Sequence, residues 1–112
     1  MKHKIYKLLI VLLLIATRTL VFSQQIITST SLGGNWSATT TWLSGVVPTA
    51  SDTVVIDGDV PIDGNFTCAK LIINSTGIVY NAWVNNPTFS VTGTVINNGI
   101  LQTNPSGYNL YV

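Results

Sequence analysis

Short apolar segments with alternating side chains recur along the chain after residue 52. Because successive side chains of a β-strand point to opposite faces, every second residue of such a segment lies on one face. Four segments share the pattern: TVVID at 53–57, KLIIN at 70–74, TFSVT at 88–92 and NLYV at 109–112. Their alignment predicts two inner columns, the first of Val54, Leu71, Phe89 and Leu110 and the second of Ile56, Ile73, Val91 and Val112. Successive members of each column are about 17–21 residues apart, a spacing typical of a repeat.

Two further sets of apolar residues repeat at a similar spacing. The second set is Val60, Ile78 and Ile96, and the third is Phe66, Val84 and Leu101. Turn-forming Asp, Asn, Gly, Ser and Pro residues separate the sets. Three short strands in a period of about 18 residues predict a single-stranded parallel β-helix, or β-solenoid, with about four coils in residues 53–112. The alternative is an antiparallel sandwich of short strands, and the pattern leaves the handedness of a solenoid open.

The composition also predicts an all-β fold. The chain after residue 23 is rich in Val, Ile and Thr, contains no glutamate and has a single lysine. Residues branched at Cβ favour strands, whereas the usual helix formers of a protein surface are missing. No window shows the apolar spacing of an amphipathic helix.

Residues 1–23 have the three-part pattern of a secretory signal peptide. Lys2, Lys4 and Lys7 precede an unbroken apolar run at residues 8–16, and a short segment then ends at Ser23. The run is much shorter than the roughly 20 apolar residues of a membrane-spanning helix, which disfavours a retained anchor. The sequence therefore predicts cleavage after Ser23, no stable membrane insertion afterwards, and a secreted or cell-surface location.

Cleavage changes the charge of the chain. Removal of residues 1–23 leaves a chain that carries one lysine and four aspartates and hence a net charge of −3. Nucleic-acid binding needs clustered Lys and Arg to neutralise phosphates, so it is excluded. Binding to an anionic membrane surface is disfavoured for the same reason.

Two tryptophans lie in a segment that does not follow the repeat. The first coil of a solenoid has an apolar end that must be covered, and terminal repeats are therefore atypical. Trp36 and Trp42 are predicted to bury their rings over the end of the column that begins with Val54 and Ile56. We accordingly predict an N-terminal capping segment at residues 24–52.

This region also resembles a known group of proteins. The order Asn-Trp-Ser, Thr-Trp, Gly, Val-Pro, Asp-Thr-Val-Val-Ile and Cys-Ala-Lys-Leu-Ile-Ile is similar to the start of many exported surface proteins of Bacteroidetes. It is similar as well to the glycine-rich extracellular domain that opens some large β-helix ectoproteins. The resemblance covers about residues 33–103 and implies the cap and first coils of a right-handed parallel β-helix. In many such proteins a C-terminal sorting domain directs export by the type IX system, and residues 1–112 depart from that pattern because none of their segments resembles such a domain.

The last residues resemble a strand of the repeat. The sequence stops at Leu110-Tyr111-Val112, so the last predicted coil has no apparent lid. An uncovered sheet edge is a template for strand addition. We expect that the chain is truncated, with its continuation covering this coil; the alternative is a partner that covers it.

Three aspartates form the cluster with the clearest metal-binding chemistry. Asp57, Asp59 and Asp63 lie in DGDVPIDG, and Ca²⁺ prefers several carboxylate and carbonyl oxygens. The segment lacks the EF-hand spacing and the repeated glycine motif of calcium β-rolls. The sequence thus allows a weak calcium site as the sole cofactor, with turn carboxylates that bind local backbone as the alternative interpretation.

A second candidate site surrounds the third tryptophan. Alternation groups Tyr80, Ala82 and Val84 on one face and Asn81, Trp83 and Asn85 on the other. If the first face is the core, the second presents an aromatic ring between two amides, a pattern that suits a sugar. The alternative is that Trp83 packs against its own loop or a neighbouring coil.

The inventory of catalytic groups is small. Cys68 is the only cysteine and is predicted to pack as a small apolar side chain. Lys70 is the only base for lyase chemistry, and alternation places it outside the core beside Ile72. No histidine follows residue 3, so the chain after the leader has no Ser-His, Cys-His or His-containing zinc set.

These observations predict a non-enzymatic structural or adhesive segment of a secreted or surface β-solenoid protein. Expected partners are surface polysaccharides or other surface proteins. One alternative is the N-terminal fragment of a carbohydrate-active β-helix enzyme, a lyase or hydrolase whose active site lies on further coils. Another is a glycan-binding module that uses Trp83.

Overall fold

The computed structural model describes residues 24–82 and 86–102. The predicted leader, Trp83, Val84, Asn85 and residues 103–112 lie outside the described residues. Within the described part the elements are nine strands and a 3-10 helix at Thr39–Thr41. In chain order the strands are β1 (Ile26–Thr28), β2 (Thr53–Ile56), β3 (Asp59–Ile62), β4 (Phe66–Cys68), β5 (Lys70–Ile73), β6 (Ile78–Asn81), β7 (Phe89–Val91), β8 (Val95–Asn97) and β9 (Ile100–Gln102).

All three sheets are parallel. The first contains β1-β2-β5-β8, the second β3-β6-β9 and the third β4-β7. From β2 onward, consecutive strands lie in different sheets, and every third strand returns to the same sheet. Parallel neighbours cannot be joined by a tight hairpin, which is why each pair is separated by a long stretch of chain. The predicted all-β class is confirmed, and the strand pairing is not that of an antiparallel sandwich.

The register of the first sheet confirms the first two members of each predicted inner column. Val54 pairs with Leu71 and Ile56 with Ile73, as the alignment predicts. Leu71, however, pairs with Val95 rather than with Phe89, so the extension of both columns to Phe89 and Val91 is wrong. The step from Leu71 to Val95 is longer than that from Val54 to Leu71, because all three connections between β5 and β8 are longer than those between β2 and β5, most of all the connection between β6 and β7. Residues 88–92 alternate as a strand must, but alternation alone does not identify the sheet.

The other two predicted sets are also assigned to the wrong positions. Val60 pairs with Val79, and Val79 pairs with Leu101, so Ile78 is one position out of register. Ile96 belongs to the first sheet and Leu101 to the second. In the third sheet Phe66 pairs with Phe89, a partner that no predicted column gave it. Val84, the remaining member of the third set, lies outside the described residues.

Side chains that point inward from the sheets form one hydrophobic core. In β2, β5 and β6, buried and half-buried residues alternate, because one face of each strand packs inside and the other faces out. Full burial of an aliphatic side chain stabilises a fold by roughly 1.5–3 kcal/mol relative to exposure. The buried hydrophobic residues are Ile27, Trp36, Trp42, Val54, Ile56, Val60, Ile62, Cys68, Leu71, Ile73, Val79 and Phe89.

Three glycines, called the glycine corners below, lie at equivalent positions in the turns that lead into the strands of the second sheet. Gly58, Gly77 and Gly99 each directly precede a strand of that sheet. A Cβ on Gly77 would lie 2.3 Å from the carbonyl oxygen of Ile56, and one on Gly99 would lie 2.3 Å from that of Gly77. None of the three has a positive φ, so it is the close approach of neighbouring backbone that requires glycine.

Candidate functional site

The capping segment binds the end of β1 and the two residues that follow it. Ser29 forms an antiparallel bridge with Trp42. The amide of Thr30 donates to the carbonyl of Thr41 at 2.8 Å, and the amide of Leu43 donates to the carbonyl of Thr28 at 2.9 Å. These bonds satisfy backbone groups that an edge strand would otherwise present for pairing with another chain.

A second part of the capping segment lies along the edge of β3. The amide of Gly34 donates to the carbonyl of Asp59 at 2.9 Å, and the amide of Trp36 donates to that of Pro61 at 3.1 Å. Gly33, just before, has a φ of +70°, and a Cβ there would lie 2.0 Å from the oxygen of Asp59. Glycine is thus needed both for the left-handed conformation and for the close approach.

Asp63 fixes the end of this contact. Its carboxylate accepts hydrogen bonds from the amide of Ser37, at 3.0 Å, and from the hydroxyl of Ser37. The side chain therefore ties the chain just after Trp36 to the turn that follows β3. In the described structure Asp63 is a turn carboxylate that binds Ser37 of the same chain.

The ring of Trp36 lies at the edge of the third sheet. It stacks on Phe66 with ring centroids 5.8 Å apart and meets Phe89 edge to face at 5.0 Å. It also meets Trp42 at 4.9 Å with an interplanar angle of 76°. Trp36 is fully buried and Trp42 is 2% exposed, as predicted. Phe66 and Phe89 belong to the third sheet, whereas the sequence predicted a contact of Trp36 with the column of Val54 in the first.

The two indole N–H groups differ in their surroundings. Nε1 of Trp42 donates to the carbonyl of Trp36 at 3.0 Å in a buried position. Nε1 of Trp36 is buried with no hydrogen-bond partner among the described residues. A buried donor without a partner costs free energy, so the aromatic contacts of Trp36 must outweigh that cost.

Asp52 lies directly before β2 and binds three other parts of the chain. Its carboxylate accepts hydrogen bonds from the amide of Thr49 at 2.8 Å, the hydroxyl of Thr49 at 2.9 Å and the amide of Gln25 at 3.2 Å. Its carbonyl accepts a bond from the amide of Ala69 at 2.9 Å. Burial alone would raise the pKa of Asp52, but the bonds from Thr49 and Gln25 together outweigh it and hold the pKa below the ordinary value.

The three aspartates of the predicted calcium site have different partners. Asp57 accepts a hydrogen bond from the side-chain amide of Asn74 at 2.6 Å, Asp63 binds Ser37, and Asp59 is exposed at the start of β3. Within residues 24–82 and 86–102, no group of three or more His, Cys, Asp or Glu side chains is placed to hold a metal ion. The structure therefore does not bring the aspartates together, and calcium binding stays a prediction.

One residue of the predicted sugar site has the opposite orientation to that expected. Asn81 is fully buried, together with Val79, whereas Tyr80 is half-buried on the other face of β6. The assignment of Asn81 to the outer face is therefore wrong. The reason is that Val79, and not Ile78, lies in register with the inner residue Val60, so the inner face of β6 is the opposite of the predicted one. Trp83 and Asn85 lie outside the described residues, so their part of the prediction remains untested.

The predictions for Cys68 and Lys70 agree with the structure. Cys68 is fully buried and belongs to the hydrophobic core. Burial, with a smaller contribution from the charge of Asp52, raises the pKa of the Cys68 thiol to about 11. Lys70 and Ile72 are half-buried on the outer face of β5, whereas Leu71 and Ile73 are buried.

The opposite end of the sheets is open among the described residues. No strand pairs with the second edge of β7, β8 or β9 in this part of the chain. Val95 lies in the inner register with Leu71, yet it is 40% exposed. Ile96 and Ile100 are 39% and 46% exposed. Among the described residues, β1 and β3 thus have hydrogen bonds to the capping segment, whereas β7, β8 and β9 have no partner on their second edge.

Two elements of the cap were missed by sequence reasoning. The role of Asp52 is the first, although the sequence Thr-Ala-Ser-Asp at 49–52 is a signal for a side chain that binds backbone three residues earlier. The pairing of residues 34–36 with β3 had no comparable signal, because Gly-Gly-Asn-Trp has no strand pattern.

Comparison with protein-family models, curated proteins and solved structures finds no match to this chain. In the part of the chain that the structure describes, no helix is long and apolar enough to cross a membrane.

Proposed function

We propose that this chain is the capped first part of a single-stranded parallel β-solenoid and serves as a non-enzymatic structural or adhesive segment of a secreted or cell-surface protein. Each coil comprises one strand of each sheet, and the sheets are the faces of the solenoid. The coils differ in length, since the pairing step from Val54 to Leu71 is shorter than that from Leu71 to Val95.

The observation that carries the proposal is that the first strands of the sheets are covered at the same end. Residues 41–43 bind the edge of β1, residues 34–36 bind that of β3, and the ring of Trp36 packs on Phe66 of β4. Terminal repeats of solenoids need such covers, because stacking buries the inner side chains of every coil except the first and the last. A capping segment bound to the first strands of the sheets is what we expect of a chain that begins a stack of coils.

The chemistry of the described side chains favours a structural role over catalysis. The buried carboxylate of Asp52 and the carboxylates of Asp57 and Asp63 accept hydrogen bonds from residues of the same chain. Cys68 is buried with a raised pKa, which disfavours the thiolate needed for nucleophilic attack. These groups hold turns and coil ends together.

Export can be tested with the full chain and its own leader in a Gram-negative host. Mass spectrometry of the protein in the extracytoplasmic fraction should show a chain that begins at Gln24. A matched variant in which Leu12 and Leu13 are replaced by Asp should stay in the cytoplasm, because the apolar run is interrupted. Cytoplasmic retention of the unaltered chain would contradict the proposed location.

The structural role is tested on the exported protein. Trp36→Ala should lower the free energy of unfolding by about 3–5 kcal/mol, the usual cost of truncating a buried aromatic ring. Leu32→Ala, at a residue 91% exposed in the same segment, is the control and should change it little. Incubation with a panel of acidic and neutral polysaccharides should release neither reducing ends nor unsaturated products. Release of either by the purified chain would favour the enzyme alternative.

A further inference from the structure

Asp52 is a buried carboxylate whose described hydrogen-bond donors are all uncharged. It is 5% exposed, and one of its oxygens, Oδ2, accepts bonds from the amide and the hydroxyl of Thr49. The other oxygen, Oδ1, accepts a bond from the amide of Gln25 at 3.2 Å. Each oxygen of an ionised carboxylate has two lone pairs, so Oδ1 has room for a second donor beside Gln25.

Buried carboxylates are seldom left without a cation, and the chain after residue 23 offers few. Residues 24–112 contain neither arginine nor histidine. Their single lysine, Lys70, lies on the outer face of β5. The remaining cation is the amino-terminal ammonium group that cleavage after Ser23 creates on Gln24.

The position of Gln25 places that amino terminus beside Asp52. Consecutive backbone nitrogens are at most about 3.7 Å apart, given the standard bond lengths. Since the nitrogen of Gln25 lies 3.2 Å from Oδ1, the nitrogen of Gln24 lies within about 7 Å of the same oxygen. Gln25 is held in place, because its carbonyl accepts a bond from the amide of Thr53 at 2.9 Å. Gln24 precedes β1 and is exposed, so rotation about its own backbone bonds brings the nitrogen closer without moving the strand.

We propose that Asp52 is the binding site for the chain's own amino terminus, with the α-ammonium group of Gln24 donating to Oδ1 and forming an ion pair with the carboxylate. This inference rests on the export proposed above, because the nitrogen of Gln24 is a neutral amide until the leader is removed. The ion pair joins the start of β1 to the turn before β2. The capping segment therefore reaches its full stability only after cleavage.

Cyclisation of Gln24 by glutaminyl cyclase tests the ion pair, because it removes the charge and changes no other residue. The α-amine attacks Cδ of its own side chain, ammonia leaves, and the nitrogen becomes the uncharged amide of a lactam. We expect cyclisation to lower the melting temperature of the exported chain by about 3–6 °C, the shift for losing one partly buried ion pair from a domain of this size. Mass spectrometry confirms the first residue and the loss of ammonia. An unchanged melting temperature would overturn the proposal.

Two variants separate the ion pair from other effects of the treatment. Gln24→Ala keeps the ammonium group but cannot cyclise, so it should melt with the untreated chain and not respond to the enzyme. Asp52→Asn removes the carboxylate, so cyclisation of Gln24 should leave its melting temperature unchanged. An equal fall in Asp52→Asn would also overturn the proposal, because the lost interaction would then not involve the carboxylate.

The ion pair can be tested separately from export. The same chain can be released from an amino-terminal fusion by a protease that leaves Gln24 as the first residue. If the cell does not export the chain but the released chain shows these shifts, the proposed location is wrong and the ion pair stands. If the chain is exported and begins at Gln24 but shows no shift, only the ion pair is wrong.

Discussion

The indole N–H of Trp42 donates a hydrogen bond to the carbonyl of Trp36 at 3.0 Å, and the two rings meet edge to face. The bond joins two points of the capping segment six residues apart in a buried position. Trp42 in turn is bridged to Ser29, next to β1, while Trp36 contacts the second and third sheets. The pair therefore connects the covers of all three sheets.

This relationship predicts that the two tryptophans tolerate phenylalanine differently. Trp42→Phe leaves the buried carbonyl of Trp36 without its donor, whereas Trp36→Phe removes an N–H that has no partner among the described residues. We expect Trp42→Phe to lower the free energy of unfolding by about 1–3 kcal/mol more than Trp36→Phe, the usual cost of an unsatisfied buried polar group. Urea unfolding of both variants measures the difference. A larger loss for Trp36→Phe would show that ring size outweighs hydrogen bonding here.

The sequence predicted the class of the fold and one of its strand pairs, because these depend on local signals. Alternation places Val54, Ile56, Leu71 and Ile73 on one face, and the short turn between β4 and β5 keeps their register simple. The later register failed at Phe89, since the length of the connection before β7 is not visible in the alternation of residues 88–92.

In the candidate site, the sequence predicted the burial of large or apolar side chains but not the partners of polar ones. Burial of Trp36, Trp42 and Cys68 follows from their large or apolar side chains in a chain that needs a core. The orientation of Asn81 was wrong, because pairing Val60 with Val79 in place of Ile78 reverses every face assignment along β6. The contacts of Asp52 with Gln25 and of Asp63 with Ser37 span 26 to 27 residues of sequence, and no local pattern encodes them.

At the glycine corners, we expect the stability of the protein to depend strongly on side-chain size. Gly77→Ala should destabilise the protein by about 2 kcal/mol or more, because the new Cβ would lie 2.3 Å from the backbone oxygen of Ile56 and the corner must shift. Gly64→Ala is the control, since the nearest atoms to its Cβ belong to the end of the Phe66 ring at 3.2 Å. Thermal unfolding followed by circular dichroism compares them. Equal melting temperatures would mean that the corners are looser than the structure indicates.

Asp52 predicts an acid-sensitive contribution to stability. Its pKa is lowered in the folded chain, so its contribution is fully present above the unfolded value near pH 4 and is lost as the pH falls through the folded value. At pH 7, Asp52→Asn should cost about 2 kcal/mol, because an amide accepts fewer and weaker hydrogen bonds from Thr49 and Gln25.

Unfolding of the unaltered protein and of Asp52→Asn, measured in urea from pH 7 to pH 3, tests this expectation. The difference in free energy should stay constant down to about pH 5 and shrink below pH 4. Asp59→Asn is the matched control, since the side chain of Asp59 is exposed. A difference for Asp52→Asn that does not change with pH would show that the ionised carboxylate is not what binds Thr49.

The buried thiol of Cys68 predicts protection from modification in the folded protein. Burial in the core raises its pKa to about 11, so at pH 8 the thiolate that attacks disulfide reagents is scarce and also out of reach. We expect reaction with Ellman's reagent to be at least about a hundredfold slower than that of a Ser44→Cys thiol, which lies in an exposed turn. Added urea should speed the reaction of Cys68 in parallel with unfolding and leave the exposed thiol nearly unchanged. Rapid reaction of Cys68 without denaturant would mean that the third sheet opens readily at β4.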